Sequence, residues 1–428
     1  MPDRHDYWPV GPSVAYVVLF MKCIAFPATL LAQGTSWLHL ADAIHPEARL
    51  SVLGDSKFTF LNSRDLEIQT SSVVRWGRWM GVVGQQAVWL SDGSWLAGQI
   101  LSVDDEYVSL QNRWLDLKAI PIKTVRALIY SPVASLPEWI DLIDQLEDLK
   151  GESDTVWLRD GSRLAGVVEL SPIGDPAAPA FTLEVGQEQL AIPWARVATL
   201  ATSPTLIGPL TSDRLATTLG LEDGSRLNVS RLMPRPERVE LELLPLGQVF
   251  SLDRAEVFAS AIRLIERDEV SQVQRCDTLQ PTSFRFIPDS ELIFTLGVNR
   301  SVFDRPLLVG HRLEAGLVSR GLAMHSSSQV AFRWDKSPGK FLAEACMAGL
   351  PDNQASLGDT ACKVLIAKER ELATAVEFVL SRNEQAMTRQ QVDVDITGAQ
   401  LVVLVVEKAR FGQWGDEVYW LDARFFRR

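Results

Sequence analysis

The sequence predicts a mainly β chain, with a tandem array of small β-barrels followed by a further β-module. Three observations carry this. A short motif centred on Asp-Gly recurs along the middle of the chain. Alternating apolar runs bounded by turn residues fill most of the rest. Trp is frequent, 13 residues against 5 Tyr, and aromatic side chains favour pleated, half-buried surfaces. At 428 residues the chain is too long for one compact core.

The motif is clearest at residues 88–98, VWLSDGSWLAG, and returns at 156–166, VWLRDGSRLAG. A weaker copy, LGLEDGSRLN, occupies 219–228. Asp-Gly between alternating apolar runs is a strong hairpin signal, and a type I′ turn with positive φ at both residues is expected. Each copy is followed by further alternating runs, such as 99–103, 107–110, 117–121 and 125–129 in the first. About five short strands per copy suffice for an SH3-like or Sm-like barrel. The expected units are 83–134, 151–205 and 212–266, with a degenerate copy at 44–82 whose turn reads Gly54-Asp55. Asp92, Asp160 and Asp223 read as turn formers rather than metal ligands. Interaction or spacing is the function such barrels imply.

Residues 135–150 read as a linker helix. Ile140, Ile143, Leu146 and Leu149 recur every third residue, and Pro137 suits a first turn. Glu138, Asp141 and Asp144 are then expected on the solvent side.

Residues 1–43 read as a leader. Met21-Lys22 gives a short basic start, 23–31 an apolar stretch, and Ala41-Asp42-Ala43 an A-x-A cleavage site. Lys22 and Pro27 interrupt the apolar run, so a spanning helix is not expected. Export to the cell envelope or the medium follows, with no membrane span after cleavage. The formal charge of −12 argues against nucleic acid and anionic lipid as partners. Of four Cys, Cys23 falls in the leader; Cys346 and Cys362 could pair, or all three remaining thiols could be buried and free.

From about residue 270 the Asp-Gly repeat stops. Residues 270–428 carry Leu279-Gln280-Pro281, then Arg305-Pro306-Leu307-Leu308-Val309-Gly310, then the run 319–328, SRGLAMHSSS, leading into Val330-Ala331-Phe332-Arg333-Trp334. The chain closes on 414–423, WGDEVYWLDA. On these motifs the segment resembles the NPCBM/NEW2 family, a family named for carbohydrate binding. The accompanying repeats resemble barrels found beside such modules in secreted proteins of planctomycete type. The resemblance implies a galactose-binding-like jelly-roll β-sandwich that is non-catalytic and binds a glycan. Glu417 and Tyr419 stand where the family usually has His and Asp, so the roles of those two positions do not carry over.

The candidate ligand-binding residues are His325, Ser326, Ser328, Trp414 and Asp416. His325 precedes a strand at the sandwich rim, where loops carry binding; the alternative is a structural His bound to a backbone carbonyl. Trp414, between Gly412 and Gly415, is free to stack on a sugar, whereas Trp420 in the closing strand is expected in the core. Asp416 could hold a hard cation such as a structural calcium, or cap a turn. No other cofactor is implied. Catalysis finds no HExxH, GxSxG or P-loop pattern. The leading expectation is a secreted multidomain glycan-binding protein. The alternative is an envelope interaction protein that binds no sugar.

Overall fold

In the computed structural model the described residues are 36–428 apart from 55, 63–64, 171–180, 208–216, 236–237, 254, 288–292, 311–314, 350–357, 370, 383–386 and 408–415. The expected leader up to residue 35 lies outside them.

Four units share one order: four or five strands, a helical turn, and a last strand that returns to pair with the first. In the first unit, Ser36–Leu40 pairs with Val73–Gly77. The same closure joins Ala87–Leu90 to Val125–Ile129, Asp154–Leu158 to Val197–Ala201, and Thr217–Leu221 to Ile262–Arg267. The helical turns are Thr70–Ser72, Ile122–Thr124, Trp194–Arg196 and Ala255–Ala261. The degenerate first copy therefore follows the order of the others.

Two expectations need correction. No closed barrel is found among the described residues. Pairing runs onward from unit to unit instead: Val125–Ile129 also pairs with Val197–Ala201, and Ile262–Arg267 with Val73–Gly77. One apolar cluster runs through all four units, from Leu38 to Ile265, so these units share a core. The turn type also differs. Gly93, Gly161 and Gly224 have φ near +86 to +89, but the preceding Asp residues are not among those with positive φ. Each turn closes instead over the residue before the Asp, with Gly93 N donating to Leu90 O, Gly161 N to Leu158 O and Gly224 N to Leu221 O. The carboxylates of Asp92, Asp160 and Asp223 accept from the amide two residues on, at 2.9, 2.9 and 2.8 Å. A left-handed Gly after an ordinary turn absorbs the strand twist with only one residue at positive φ.

The expected leader end after Ala43 also meets a difficulty. Ser36–Leu40 is paired on both sides, and Leu38 and His39 are wholly buried. The folded unit includes this strand, so a cut at Ala43 would remove it.

Helix α1, Leu136–Glu147, falls where the sequence places one. Ser135 caps it, accepting from Glu138 N. Trp139, Ile140, Ile143 and Leu146 are buried against Trp79, Trp89 and Trp95. Trp89 and Trp95 stack with ring centres 4.9 Å apart, and Trp139 meets Trp95 edge-on at 4.7 Å. Much of the Trp content thus serves this core.

The C-terminal part is a sandwich of two antiparallel sheets. One runs Gly297–Val298, Gly321–Met324, Val418–Arg427, Gly339–Met347, Arg389–Asp395; the other runs Ser283–Phe286, Ser328–Arg333, Leu401–Val406, Gly358–Lys368, Glu371–Arg382. Their inner faces meet over Phe332, Phe341, Trp420 and Phe425. Trp420 is 0 % exposed, as expected of a core position. Cys276, Cys346 and Cys362 are buried free thiols, so Cys346 and Cys362 form no disulfide. Among the described residues no helix is long and apolar enough to cross a membrane.

The repeat region and the sandwich meet across a buried polar network. Arg75 Nη2 lies 2.8 Å from Glu344 Oε2, and Arg75 Nε donates to Asp422 Oδ2. His39 Nε2 lies 2.9 Å from the same Glu344 oxygen. Arg389 and Arg275 complete the neutralisation of Glu344 and Asp422, at 3.1 and 3.5 Å. Arg424 reaches back to the carbonyls of Leu40 and Ala43. Asp422 has φ +46 and sits at a register shift in the pairing with Gly339–Met347. A bulge of this kind re-aims one side chain, here onto Arg75.

Candidate binding cleft

Between α1 and the sandwich lies a cleft of about 570 Å³, of a size suited to a small ligand. Pro137, Ile140 and Asp141 of α1 form one wall. The loop from Ser301 to Pro306 forms the other, and His325, Arg382, Glu417 and Tyr419 line the floor.

His325 ends the strand Gly321–Met324 and is 4 % exposed. Its ring stacks on Phe294 at 4.0 Å, nearly parallel, and Phe294 meets Phe303 edge-on at 5.5 Å. Phe303 is 61 % exposed at the cleft rim. An exposed phenyl held on a half-buried ring that stacks on buried His325 is a ready platform for the apolar face of a sugar.

Burial governs the acids of this region. Burial, and then the charge of Asp359, push the Asp416 carboxyl up to about 7. Its Oδ2 has no hydrogen-bond partner among the described residues. Burial likewise pushes Glu417 up to about 7, although Val302 N donates to its Oε1 at 2.6 Å. Arg382 faces both acids and donates to Ala348 O at 2.7 Å. A buried acid with a raised pKa that lines a cleft, as Glu417 does, is a candidate functional residue.

Of the residues singled out from sequence, His325 lines the cleft. Ser326 and Asp416 do not line it; the Ser326 hydroxyl hydrogen-bonds Asp416 and lies 3.4 Å from His325 Nδ1. Ser328 donates back to His325 O at 2.5 Å, which is a turn-closing role. Trp414 lies outside the described residues. Among the described residues no group of three or more His, Cys, Asp or Glu could hold a metal ion; the loop preceding Asp416 lies outside them. Sequence reasoning missed Phe303, Arg382 and Tyr419. The available signal for Phe303 was an aromatic in a short loop ending at Pro306, between Asn299 and Asp304, which have φ +58 and +60.

Comparison with curated proteins finds no match. Among solved structures, the CBM51-2 and INT domains of Clostridium perfringens ZmpB are 14% identical over 47% of this chain and 41% of theirs, with TM-score 0.31. This chain thus spans less than half of that structure. The CBM51 of Clostridium perfringens GH95, solved in complex with methyl-galactose, is 13% identical over 36% of this chain and 99% of its own, with TM-score 0.30. The tandem CBM51 modules of a family 98 glycoside hydrolase from Streptococcus pneumoniae give 9%, 64%, 88% and 0.28. A family model, that of the NPCBM/NEW2 domain, matches residues 286–426, which cover most of the sandwich.

Proposed function

We propose that the chain is a non-catalytic glycan-binding protein that acts outside the cytoplasm and takes its sugar in the cleft under Phe303. The observation that carries this reading is the cleft itself: an exposed ring standing over His325, Arg382, Glu417 and Tyr419. It offers one stacking face and a few directional polar groups, which is how sugars are held. The NPCBM/NEW2 match over the same residues supports it. The four N-terminal units then serve as spacer or interaction modules. Trp414 is retained as a second stacking candidate.

The test is a printed glycan array probed with the full chain, with Phe303→Ala and Trp414→Ala beside it. Phe303→Ala should fold as the parent does, within about 0.5 kcal/mol, because the ring is mostly exposed. It should lose roughly 1 kcal/mol of binding or more, about fivefold in affinity. Unchanged binding in Phe303→Ala would remove the cleft from the reading. The competing reading, an envelope interaction protein that binds no sugar, predicts a blank array.

A further inference from the structure

Helix α1 belongs by packing to the repeat region. Its inner face, with Trp139, Ile143 and Leu146, is buried in the Trp cluster. A Cβ on Gly81 would come within 2.7 Å of the Trp139 ring, so the helix sits close on the backbone beneath it. Of the acids expected in solvent, Glu138 and Asp141 are exposed and Asp144 is half-buried; Asp144, with Glu147, meets the sandwich. Arg300 Nη1 lies 2.7 Å from Glu147 Oε2 and Nη2 lies 3.1 Å from Asp144 Oδ1. Arg305 lies 3.9 Å from Asp141. These acids recur at every third position along one helix face, and the two arginines bracket the loop that carries Ser301 and Phe303. Within the loop, Ser301 N donates to Arg305 O at 2.7 Å and Asp304 N to Ser301 O at 3.0 Å, the Ser301 hydroxyl accepts from Phe303 N and Arg305 N, and Arg300 donates to Asp304 O; the bonds that tie it outward are Val302 N to Glu417 and those of Arg300 and Arg305 to α1.

We propose that α1 is the specificity-determining wall of the cleft: Asp144 and Glu147 position the Phe303 loop through Arg300, and Asp141 meets the bound glycan. The sugar contact rests on the glycan reading above; the positioning does not. On this view the binding site is shared between the repeat region and the sandwich, and the NPCBM/NEW2 domain alone holds only part of it. The class of ligand follows from the wall. Asp141 and Arg305 at the rim present an acceptor and a donor set about 4 Å apart, which suits a vicinal pair of hydroxyl groups on a sugar.

The experiment uses the full chain in three forms: parent, Asp141→Lys, and the double variant Asp144→Asn with Glu147→Gln. Asp141 is largely exposed, so its substitution spares the fold. Two readouts are taken: the profile on the glycan array, and amide exchange of residues 299–306 without any sugar. Asp141→Lys is expected to weaken array binding by roughly tenfold, as a rim charge facing a ligand does when reversed. The double variant is expected to speed exchange at the Val302 and Asp304 amides by about tenfold, because local opening loses its restraint. Parent and Asp141→Lys binding alike overturns the specificity role and leaves the glycan reading standing. Unchanged exchange overturns the positioning role. A parent that binds nothing overturns the glycan reading and the Asp141 contact together, while faster exchange in the double variant still supports the positioning.

Discussion

Two buried ionic regions of this molecule differ in how completely they are neutralised. At the junction of repeats and sandwich, Glu344 and Asp422 each face two arginines or more within 3.5 Å. Beside the cleft, Asp416 and Glu417 both feel the charge of Arg382, but burial outweighs it. Both regions pay for desolvation. In the first, Arg389 and Arg75 hold Glu344 well below the ordinary carboxylate range despite its burial, and Asp422 is held at about 2. In the second, burial wins and both acids rise to about 7. The contrast teaches that burial alone does not set a carboxylate's charge: close arginines at the junction hold it ionised, and without them burial raises its pKa.

The sharpest way to break the comparison is to remove Arg75. Arg75→Ala leaves Glu344 and Asp422 short of a partner in a dry junction, and the expected loss is about 3–5 kcal/mol of unfolding free energy in a denaturant titration. A mild Arg75→Ala would show that water reaches the junction.

At the cleft the sign reverses. Glu417→Gln keeps an acceptor for Val302 N but cannot ionise. At pH 8 it should raise stability by roughly 1–3 kcal/mol, since a folded-state pKa above the unfolded value means ionisation opposes folding. Loss of stability in this variant would mean that Arg382 neutralises Glu417 after all.

The smallest effect is the shape of the pH curve. Between about pH 4 and 7, folded Asp416 and Glu417 hold protons that the unfolded chain has released, so each makes stability fall as pH rises. His39 acts oppositely. Burial and Arg75 lower it to about 4, so below roughly pH 6.5 the unfolded chain takes up the proton first and stability falls as pH falls. Asp422 adds to that acid-side loss below about pH 4. Thermal unfolding followed from pH 4.5 to 6.5 should therefore show a shallow fall with rising pH in the parent. The pair Asp416→Asn with Glu417→Gln should turn it into a rise.

Much of the fold was legible because it rests on local signals. The Asp-Gly turns, the three-residue spacing in α1 and the alternating runs of the sandwich are all short-range patterns. The turn type was misread because a Gly after the turn leaves the same Asp-Gly signature as a Gly within it. The strand Ser36–Leu40 was assigned to the leader because Ala41-Asp42-Ala43 fits a cleavage rule that takes no account of pairing. The site was half legible. His325 stood in a family motif, but Phe303, Arg382 and the α1 acids meet only through contacts far apart in sequence. Arg300 and Glu147 are 153 residues apart, and no local pattern links them.

The first and last described strands meet at the junction: Arg424, near the C-terminus, donates to Leu40 and Ala43, near the start. This has a consequence for synthesis on the ribosome. Strand Ser36–Leu40 and Arg75 are synthesised well before their partners Asp422 and Arg424, so the junction closes only once strand Val418–Arg427 has been made. Its bonds join residues 347 and 384 apart in the chain, which ties completion of this face of the repeat region to completion of the sandwich.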